Sequence, residues 1–457
     1  MTTLKVDLDL ITKYNVAGPR YTSYPPATRF TEEIKLDKLR PLIAANNADE
    51  RDLSLYFHLP FCYSLCWFCG CTTVITTAQS QSTTYLDYIA KELALMKRLL
   101  NPGRKVVQFH FGGGSPTFLT PDEIRRLGQL IHSNFTVSAD VEASVEVDPR
   151  RLTREHVAAL VEIGANRGSL GVQDNNPKVQ EAIHRIQPFA MTQQAVGWMR
   201  EVGFRSVNID LIYGLPFQTA ATFENTLTEI LTLDPDRLAV FSYAHVPWIK
   251  PHQKLLKADA RPSPEVKMEL LKMTIERLTS VGYDYIGMDH FARSTDELAV
   301  AQRQKTLQRN FQGYSTHGGA DIYAFGMSSI SQADGIYWQN VKELPDYYRM
   351  LDAGELPVDK GYIMSADDKL RRETIMRLMC DLGLDYAAMS QKLGVAFTDY
   401  FSHELASLDD LEADGLLQRS ATDLTVTDLG RLLIRNIAMR FDATLAQDND
   451  RRYSRTI

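Results

Sequence analysis

The chain has 457 residues, 44% of them hydrophobic and 23% charged, which is too apolar for wholesale disorder and long enough for about three domains. Lys and Arg number 50 against 57 Asp and Glu, a formal net charge of −7 with no long basic run, so the electrostatic footprint of a general nucleic-acid binder is missing. No apolar run approaches the ~18 residues of a membrane span, and the opening Met1-Thr2-Thr3-Leu4-Lys5-Val6-Asp7-Leu8-Asp9 carries acids where a secretion signal is basic and then apolar, so a cytoplasmic protein is expected.

Residues 1–48 read as an irregular, partly helical arm. Its centre, Gly18-Pro19-Arg20-Tyr21-Thr22-Ser23-Tyr24-Pro25-Pro26, is dense in turn formers and too stiff for a flexible linker. From about residue 50 a rhythm sets in. Short apolar or β-branched runs begin near Leu53, Val106, Val141, Asn166, Val207 and Leu238, and helical periodicity fills 85–100, 121–135, 154–163 and 222–233. Strands alternating with helices predict right-handed βαβ units and a parallel sheet, either an open or partial (β/α) barrel or a doubly wound sheet.

Both architectures place chemistry at the carboxyl ends of the strands. Those ends carry unusual residues here. Phe109-His110-Phe111 runs into Gly112-Gly113-Gly114-Ser115, and Val145-Glu146-Val147-Asp148-Pro149 ends in carboxylates. Gly171-Val172-Gln173-Asp174, Asn208-Ile209-Asp210 and Tyr243-Ala244-His245 follow. Beyond about 360 the rhythm changes to helices over 367–380 and 399–413, a small hairpin at 415–427, and a final helix over 429–440, a winged-helix-like order. The acidic residues Asp409, Asp410, Glu412 and Asp414 favour a packing or lid domain over a DNA-binding one.

Four of the five cysteines fall in Phe61-Cys62-Tyr63-Ser64-Leu65-Cys66-Trp67-Phe68-Cys69-Gly70-Cys71. Neighbours this close form strained disulfides with little loop entropy to remove, whereas thiolates converging on a metal explain the spacing. Cys62, Cys66 and Cys69 have the pattern C-x3-C-x2-C. Three thiolates bind three irons of a [4Fe–4S] cube and leave one iron open to a small ligand, with Tyr63, Trp67 and Phe68 as a wall against water. A structural zinc and a closed four-cysteine cluster are the alternatives, although no second C-x2-C pair or histidine at knuckle spacing accompanies the run. Cys71 is either a fourth ligand, a spare thiol or a small packing residue. The glycine run lets backbone approach a ligand closely but matches neither a P-loop nor a dinucleotide fingerprint. Glu146, Gln173 and Asp210 share one rim if the barrel is right. A carboxylate there accepts hydrogen bonds from ribose hydroxyls, and Arg185 pairs with a carboxylate ligand; taken singly, each reads as a surface or ion-pair group.

The cysteine motif with a glycine run one strand later resembles the radical S-adenosylmethionine superfamily. The arm from Gly18 to Pro25, Cys69-Gly70-Cys71, Asn208-Ile209-Asp210-Leu211-Ile212-Tyr213-Gly214-Leu215-Pro216, Ile286-Gly287-Met288-Asp289-His290-Phe291-Ala292 and Arg431-Leu432-Leu433-Ile434-Arg435-Asn436-Ile437 narrow the resemblance to the oxygen-independent coproporphyrinogen III oxidase family, nearly end to end. The resemblance implies an α/β partial (β/α)6 barrel over 49–355 with a substrate-binding extension, an N-terminal arm over the active site at 1–48, and a mainly helical C-terminal domain at 356–457. It implies a reaction in which two propionates of coproporphyrinogen III become the vinyls of protoporphyrinogen IX for haem synthesis, started when a 5′-deoxyadenosyl radical takes hydrogen from the propionate β-carbon.

Carried over by position, Cys62, Cys66 and Cys69 are cluster ligands, and Tyr56, Phe68, Gly113, Gly114, Glu146, Gln173, Arg185, Asp210, Ala244 and Ile330 bind S-adenosylmethionine, some of them a second molecule. Two molecules are consumed per turnover. Ser115 replaces the family's usual Thr and keeps the hydroxyl, while Gly168 and Leu170 are smaller than the family pattern. Lys13, Arg20 and Arg29 are candidates for the substrate carboxylates. An electron donor such as flavodoxin or ferredoxin is implied, with no nucleic-acid or membrane partner and a monomeric chain. A haem carrier of the same superfamily, an enzyme that opens the haem ring anaerobically, and a zinc-stabilised winged-helix protein are the rival readings.

Overall fold

The computed structural model of the chain describes residues 6–445. Met1 to Lys5 of the opening stretch, and 446–457 of the expected C-terminal domain, lie outside the described residues. The chain forms two compact units: a first, Phe30–Pro262 with Gly319–Ile363, and a second built from the residues up to Arg29, Ser263–Gly318 and the residues from Met364 onward. The stretch read as one arm, 1–48, is thus divided between the units at Arg29 and Phe30, and 263–318 belongs to the second unit. Among the described residues no helix is long and apolar enough to cross a membrane.

In the first unit, six strands follow one another: β1 Leu53–Leu59, β2 Lys105–Gly113, β3 Thr136–Val147, β4 Arg167–Gln173, β5 Ser206–Tyr213 and β6 Arg237–Ser242. Each pairs in parallel with the next in sequence. Helices α1 Ser80–Lys97, α2 Pro121–Asn134, α3 Arg154–Glu162, α4 Phe189–Glu201 and α5 Ala220–Leu231 occupy the five crossovers in turn. A doubly wound sheet reverses its strand order at a switch point, and this one does not. The order is that of a partial (β/α)6 barrel. On the free edge of β1 the sheet continues through β7 Asp321–Phe325, parallel to it, then through antiparallel β8 Ile330–Ala333, β9 Ile336–Asn340 and β10 Val358–Ile363. Arg104, just before β2, and Asp321 of β7 form a buried ion pair at 2.5 Å.

The sequence dictates these elements locally. Thr120 and Glu123 close a capping box ahead of α2 with Pro121 in its first turn, and Thr219 caps α5. Alternation along the strands sorts side chains by face. Phe109 and Phe111, Val145 and Val147, Leu170 and Val172, and Ile209 and Leu211 are buried, each gaining about 1.5–3 kcal/mol from leaving water. Their alternates, His110, Glu146, Ser169 and Gly171, and Asn208 and Asp210, take the opposite face. Register lines these up across the sheet: Glu146 faces Ser169, Ser169 faces Asn208, and Gly171 faces Asp210. A polar row therefore crosses an otherwise apolar sheet because the strand period is two.

Two differences from the sequence pattern have simple causes. β3 begins at Thr136 rather than near Val141 because its first half is mostly solvent-facing and carries no apolar signal. The 399–413 pattern is three short helices, Phe397–Tyr400, Ser402–Ala406 and Asp409–Ala413, and the final one divides at Leu433 into Asp428–Leu432 and Ile434–Met439. The periodicity survives these breaks because every segment packs on one core.

In the second unit, Gly383–Asp385, Asp423–Val426 and Leu417–Arg419 form a small antiparallel sheet beside helix Ala366–Asp381. Tyr14, Tyr21 and Tyr24 enter the same core as Ile375, Met379, Phe401 and Phe441. Cys380 is wholly buried beside Ile286, Ala292 and Leu298, a core residue. The three arm cations have partners within this unit: Lys13 pairs with Asp414, Arg20 with Asp289, and Arg29 donates to the Thr444 carbonyl at 2.5 Å.

Candidate functional site

The cysteine loop leaves the barrel at the end of β1 and returns to the same place. Phe61–Cys62 pairs in parallel with Val74–Ile75, with the Val74 N–H on the Pro60 carbonyl at 2.8 Å and the Thr76 N–H on the Cys62 carbonyl at 3.0 Å. On one flank the Trp67 N–H donates to the Ile183 carbonyl at 3.0 Å, the Trp67 ring stacks on His184 at 5.2 Å, and Trp67 and Phe68 pack on Val179, Ile183 and Leu215. On the other, His252 Nε2 lies 2.8 Å from the Cys69 carbonyl, Gln253 Nε2 2.9 Å from that of Phe68, and Lys250 Nζ 2.7 Å from that of Cys71. With its backbone tied on both sides, the loop presents its thiols in a fixed direction.

Cys62, Cys66, Cys69 and Cys71 are free thiols lining one cavity of about 240 Å³ at the carboxyl ends of the strands. Arg150 and Arg185 each donate to the Cys66 Sγ at 3.6 Å. Burial pushes the Cys62 thiol up to about 12, and the Cys71 side chain and N–H, the latter 3.4 Å from the Cys69 Sγ, draw Cys69 down. Among the described residues no group of three His, Cys, Asp or Glu is gathered as a ready-made site for a single ion. The donor set itself fits an iron–sulfur cluster: soft thiols that would each take a different iron, two guanidiniums to offset their charge, and aromatic rings on the flank.

Gly113 and Gly114 of the glycine run form part of the cavity wall. Gly113 has φ +109°, and a Cβ there would sit 2.6 Å from the His58 ring; at Gly114 it would sit 2.5 Å from the Pro60 carbonyl. Bare backbone is required at both positions. The Gly114 N–H donates to Leu59 O at 2.8 Å, which fixes the run against the start of the cysteine loop, and the Gly113 N–H donates to Glu146 Oε2 at 3.1 Å.

Three carboxylates line the same cavity in different states. Burial pushes Glu146 up, but His110 at 3.5 Å and the Gly113 N–H outweigh it and hold the group below the usual range. Burial also works against Asp148, and Arg185 at 3.3 Å with Arg150 at 2.6 Å overcome it, bringing the carboxyl down to about 2. Asp210 has no cation at ion-pair distance among the described residues, and Arg185 acts on it only weakly. The Asp210 carboxylate accepts from Ser169 at 2.9 Å and Asn208 at 2.7 Å, yet burial and the charge of Glu146 lift it to about 6. Gln173 lines the cavity from a left-handed backbone, φ +71°, a strained setting of the kind found at ligand sites. Arg185 is aimed by the Gly171 carbonyl at 2.6 Å.

The cavity thus brings together Cys62, Cys66, Cys69, Phe68, Gly113, Gly114, Glu146, Gln173, Arg185 and Asp210 of the sequence-derived set. Tyr56, Ala244 and Ile330 are not among its lining residues. Tyr56 stacks on His110 at 5.7 Å, one ring behind Glu146. Ala244 is exposed, its carbonyl held by Gln253 at 3.3 Å, and Ile330 opens β8 opposite Gln339. Sequence reasoning missed Arg150, Ser169 and Asn208. Strand alternation with Gly171 and Asp210 was a signal that could have found the latter two, and an arginine two residues past Asp148 one that could have found the first. Asp148 does cap its turn, accepting from the Arg150 N–H at 3.1 Å, and carries the ion pairs besides. Nothing in the sequence signalled His252 or Gln253.

Family profiles agree with this geometry. The Radical SAM superfamily profile matches residues 56–230 and the HemN C-terminal domain profile residues 364–433. A Synechocystis sp. protein named oxygen-independent coproporphyrinogen III oxidase is 45% identical, covering 100% of this chain and 99% of its own. An Escherichia coli protein of the same name is 46% identical over 96% of each. A solved structure of coproporphyrinogen III oxidase (HemN) from Escherichia coli, described as a radical SAM enzyme, superimposes with a TM-score of 0.92 at 44% identity, over 97% of this chain and 100% of that one.

Proposed function

Because the chain belongs to the oxygen-independent coproporphyrinogen III oxidase family, we propose that it decarboxylates two propionates of coproporphyrinogen III to vinyls, giving protoporphyrinogen IX for haem synthesis without oxygen. It is a radical S-adenosylmethionine oxidoreductase with a [4Fe–4S] cluster. Bound together, cluster and S-adenosylmethionine supply the hydrogen-atom abstraction that an unactivated methylene next to a pyrrole requires. The observation that carries the reading is the meeting of the Cys62, Cys66 and Cys69 thiols, a bare glycine backbone and the carboxylates of Glu146 and Asp210 around one cavity.

The chain's own residues position and exclude. Cys62, Cys66 and Cys69 hold three irons. Glu146 and Asp210 accept hydrogen bonds from the cofactor's polar groups, Arg185 meets its carboxylate, and Gly113 and Gly114 let it approach the backbone. Phe68 and Gln173 close the same site, while Tyr56, Ala244 and Ile330 complete the cofactor set, some serving a second S-adenosylmethionine, since two propionates call for two cleavages. Trp67 and Phe68 keep water from the cysteine loop. Part of the same proposal are a cytoplasmic monomer, a flavodoxin or ferredoxin as donor, and a division of roles among 1–48 as arm, 49–355 as catalytic barrel with extension, and 356–457 as accessory domain.

The test is anaerobic incubation with coproporphyrinogen III, S-adenosylmethionine and dithionite. The expected products per substrate are protoporphyrinogen IX, two CO2, two methionine and two 5′-deoxyadenosine, with one further electron per vinyl passing to a one-electron acceptor included in the mixture. Cofactor cleavage with no vinyl product contradicts the oxidase reading and favours a haem carrier or a ring-opening enzyme.

A further inference from the structure

The segment after β6 exposes apolar side chains that the reaction does not use. Trp248 is 57% exposed, Ile249 63% and Leu255 53%. This is not looseness. The Ile249 and Lys250 N–H groups both donate to the Val246 carbonyl at 2.9 Å, the Val246 N–H donates to Gln253 Oε1 at 2.6 Å, and the segment closes in the single turn Pro251–Leu255. A self-bonded loop that holds large apolar groups in water has the character of an interaction surface.

Its charge and place say what for. Lys254 and Lys257 are exposed and have no ion-pair partner among the described residues, and with Asp259 as the one acid between Tyr243 and Pro262 they make the segment basic on a chain of net charge −7. The inner side of the loop is the side that grips the cysteines: Lys250, Gln253 and His252 hold the carbonyls of Cys71, Phe68 and Cys69. Whatever seats on Trp248 and Leu255 therefore stands one hydrogen-bonded layer from the thiols. A few apolar anchors with two exposed lysines in the same segment suit a small, transient, electrostatically steered contact, the class to which redox encounters belong.

We propose that Trp248, Ile249 and Leu255, with Lys254 and Lys257, form the docking surface for an acidic one-electron carrier protein that reduces the iron–sulfur group in the cysteine loop. The proposal rests on the function given above, which needs an electron at that loop. One electron leaves the carrier, oxidising it by one, and enters the cluster; no atom is transferred.

The experiment uses reconstituted holoenzyme and, as probes, an acidic flavodoxin and separately an acidic ferredoxin. Binding is measured at low and high salt for wild type, Trp248→Ser/Leu255→Ser and Lys254→Glu/Lys257→Glu, and cluster reduction by the reduced carrier is followed by stopped flow. Wild type should bind at least one carrier. Both double variants should bind it about tenfold or more weakly and be reduced by it correspondingly more slowly, with salt dependence lost in the charge reversal. Iron content, melting temperature and reduction by dithionite should not change. Unaltered carrier binding and reduction in both variants overturns the proposal, as does loss of binding to phosphatidylglycerol vesicles with carrier binding intact, which would make the patch a membrane-surface site. Wild type that forms vinyl product with dithionite yet binds neither carrier also overturns it and leaves the function standing. Absence of vinyl product with dithionite strikes the function instead.

Discussion

Replacing Asp210 by Asn should stabilise the cofactor-free protein at neutral pH while weakening cofactor binding. In the fold this carboxyl is lifted from 3.8 to about 6, chiefly by burial. The folded state therefore holds the proton more tightly than the unfolded chain, and stability falls as pH rises from 3.8 through 6. Above pH 6 the full cost stands, about 3 kcal/mol at 1.36 kcal/mol per pH unit. Asn removes the charge and keeps the shape, and loses about 1 kcal/mol for each weakened hydrogen bond, from Ser169 and Asn208. A net gain of about 1–2 kcal/mol corresponds to a rise of roughly 2–4 °C in melting temperature for a unit of this size. Scanning calorimetry without S-adenosylmethionine at pH 7.5 and at pH 4.5 should show the gain at the first and little at the second. Equilibrium dialysis of the reconstituted variant should show S-adenosylmethionine bound about 10- to 100-fold more weakly, the loss of a charge-assisted hydrogen bond. A lower melting temperature at pH 7.5 with unchanged cofactor affinity would refute the reasoning and make Asp210 a structural ion-pair group.

Cys62→Ser, Cys66→Ser and Cys69→Ser should each abolish the cluster, whereas Cys71→Ser should keep its iron; iron per chain and the electron paramagnetic resonance spectrum of the reduced protein decide it, and complete iron loss in Cys71→Ser would indicate a closed four-cysteine cluster. Asp148→Asn should lower stability at neutral pH by about 2–3 kcal/mol, because a carboxyl held at about 2 contributes fully above its ordinary 3.8 and fades only as pH falls toward 2, and its loss leaves the neighbouring Arg150 and Arg185 without the carboxylate they share. Thermal melts at pH 7.5 read this directly. Gly114→Ala should cost about 1–3 kcal/mol or more and reduce iron incorporation, since its Cβ would fall 2.5 Å from the Pro60 carbonyl and push the cysteine loop off β1; an alanine variant with full iron content would show that the loop has slack.

Much of the barrel was legible because period and register do the work. The apolar runs at Leu53, Val106, Val207 and Leu238 mark β1, β2, β5 and β6 to within a residue, and the alternation in Asn208-Ile209-Asp210 alone puts Asp210 on the ligand face. The cysteine spacing and the glycine run were legible as chemistry because few other roles demand them. α4 was not, as Gly197 and two glutamines dilute its apolar stripe. The grip of His252 and Gln253 on the cysteine loop was invisible for a different reason: it joins residues almost two hundred positions apart through backbone carbonyls, which leave no trace in side-chain pattern. The fates of Lys13, Arg20 and Arg29 were hidden likewise, since charge in sequence does not reveal which distant acid or carbonyl will take it.

The central claim is that the cavity beside Cys62, Cys66 and Cys69 directs hydrogen abstraction to a propionate. The most direct test is a single anaerobic turnover on coproporphyrinogen III deuterated at the propionate β-carbons, with the mass of the released 5′-deoxyadenosine as readout. The account predicts one deuterium carried into 5′-deoxyadenosine for each vinyl formed. Vinyl product beside unlabelled 5′-deoxyadenosine, or labelled 5′-deoxyadenosine with the porphyrinogen's propionates intact, would contradict it.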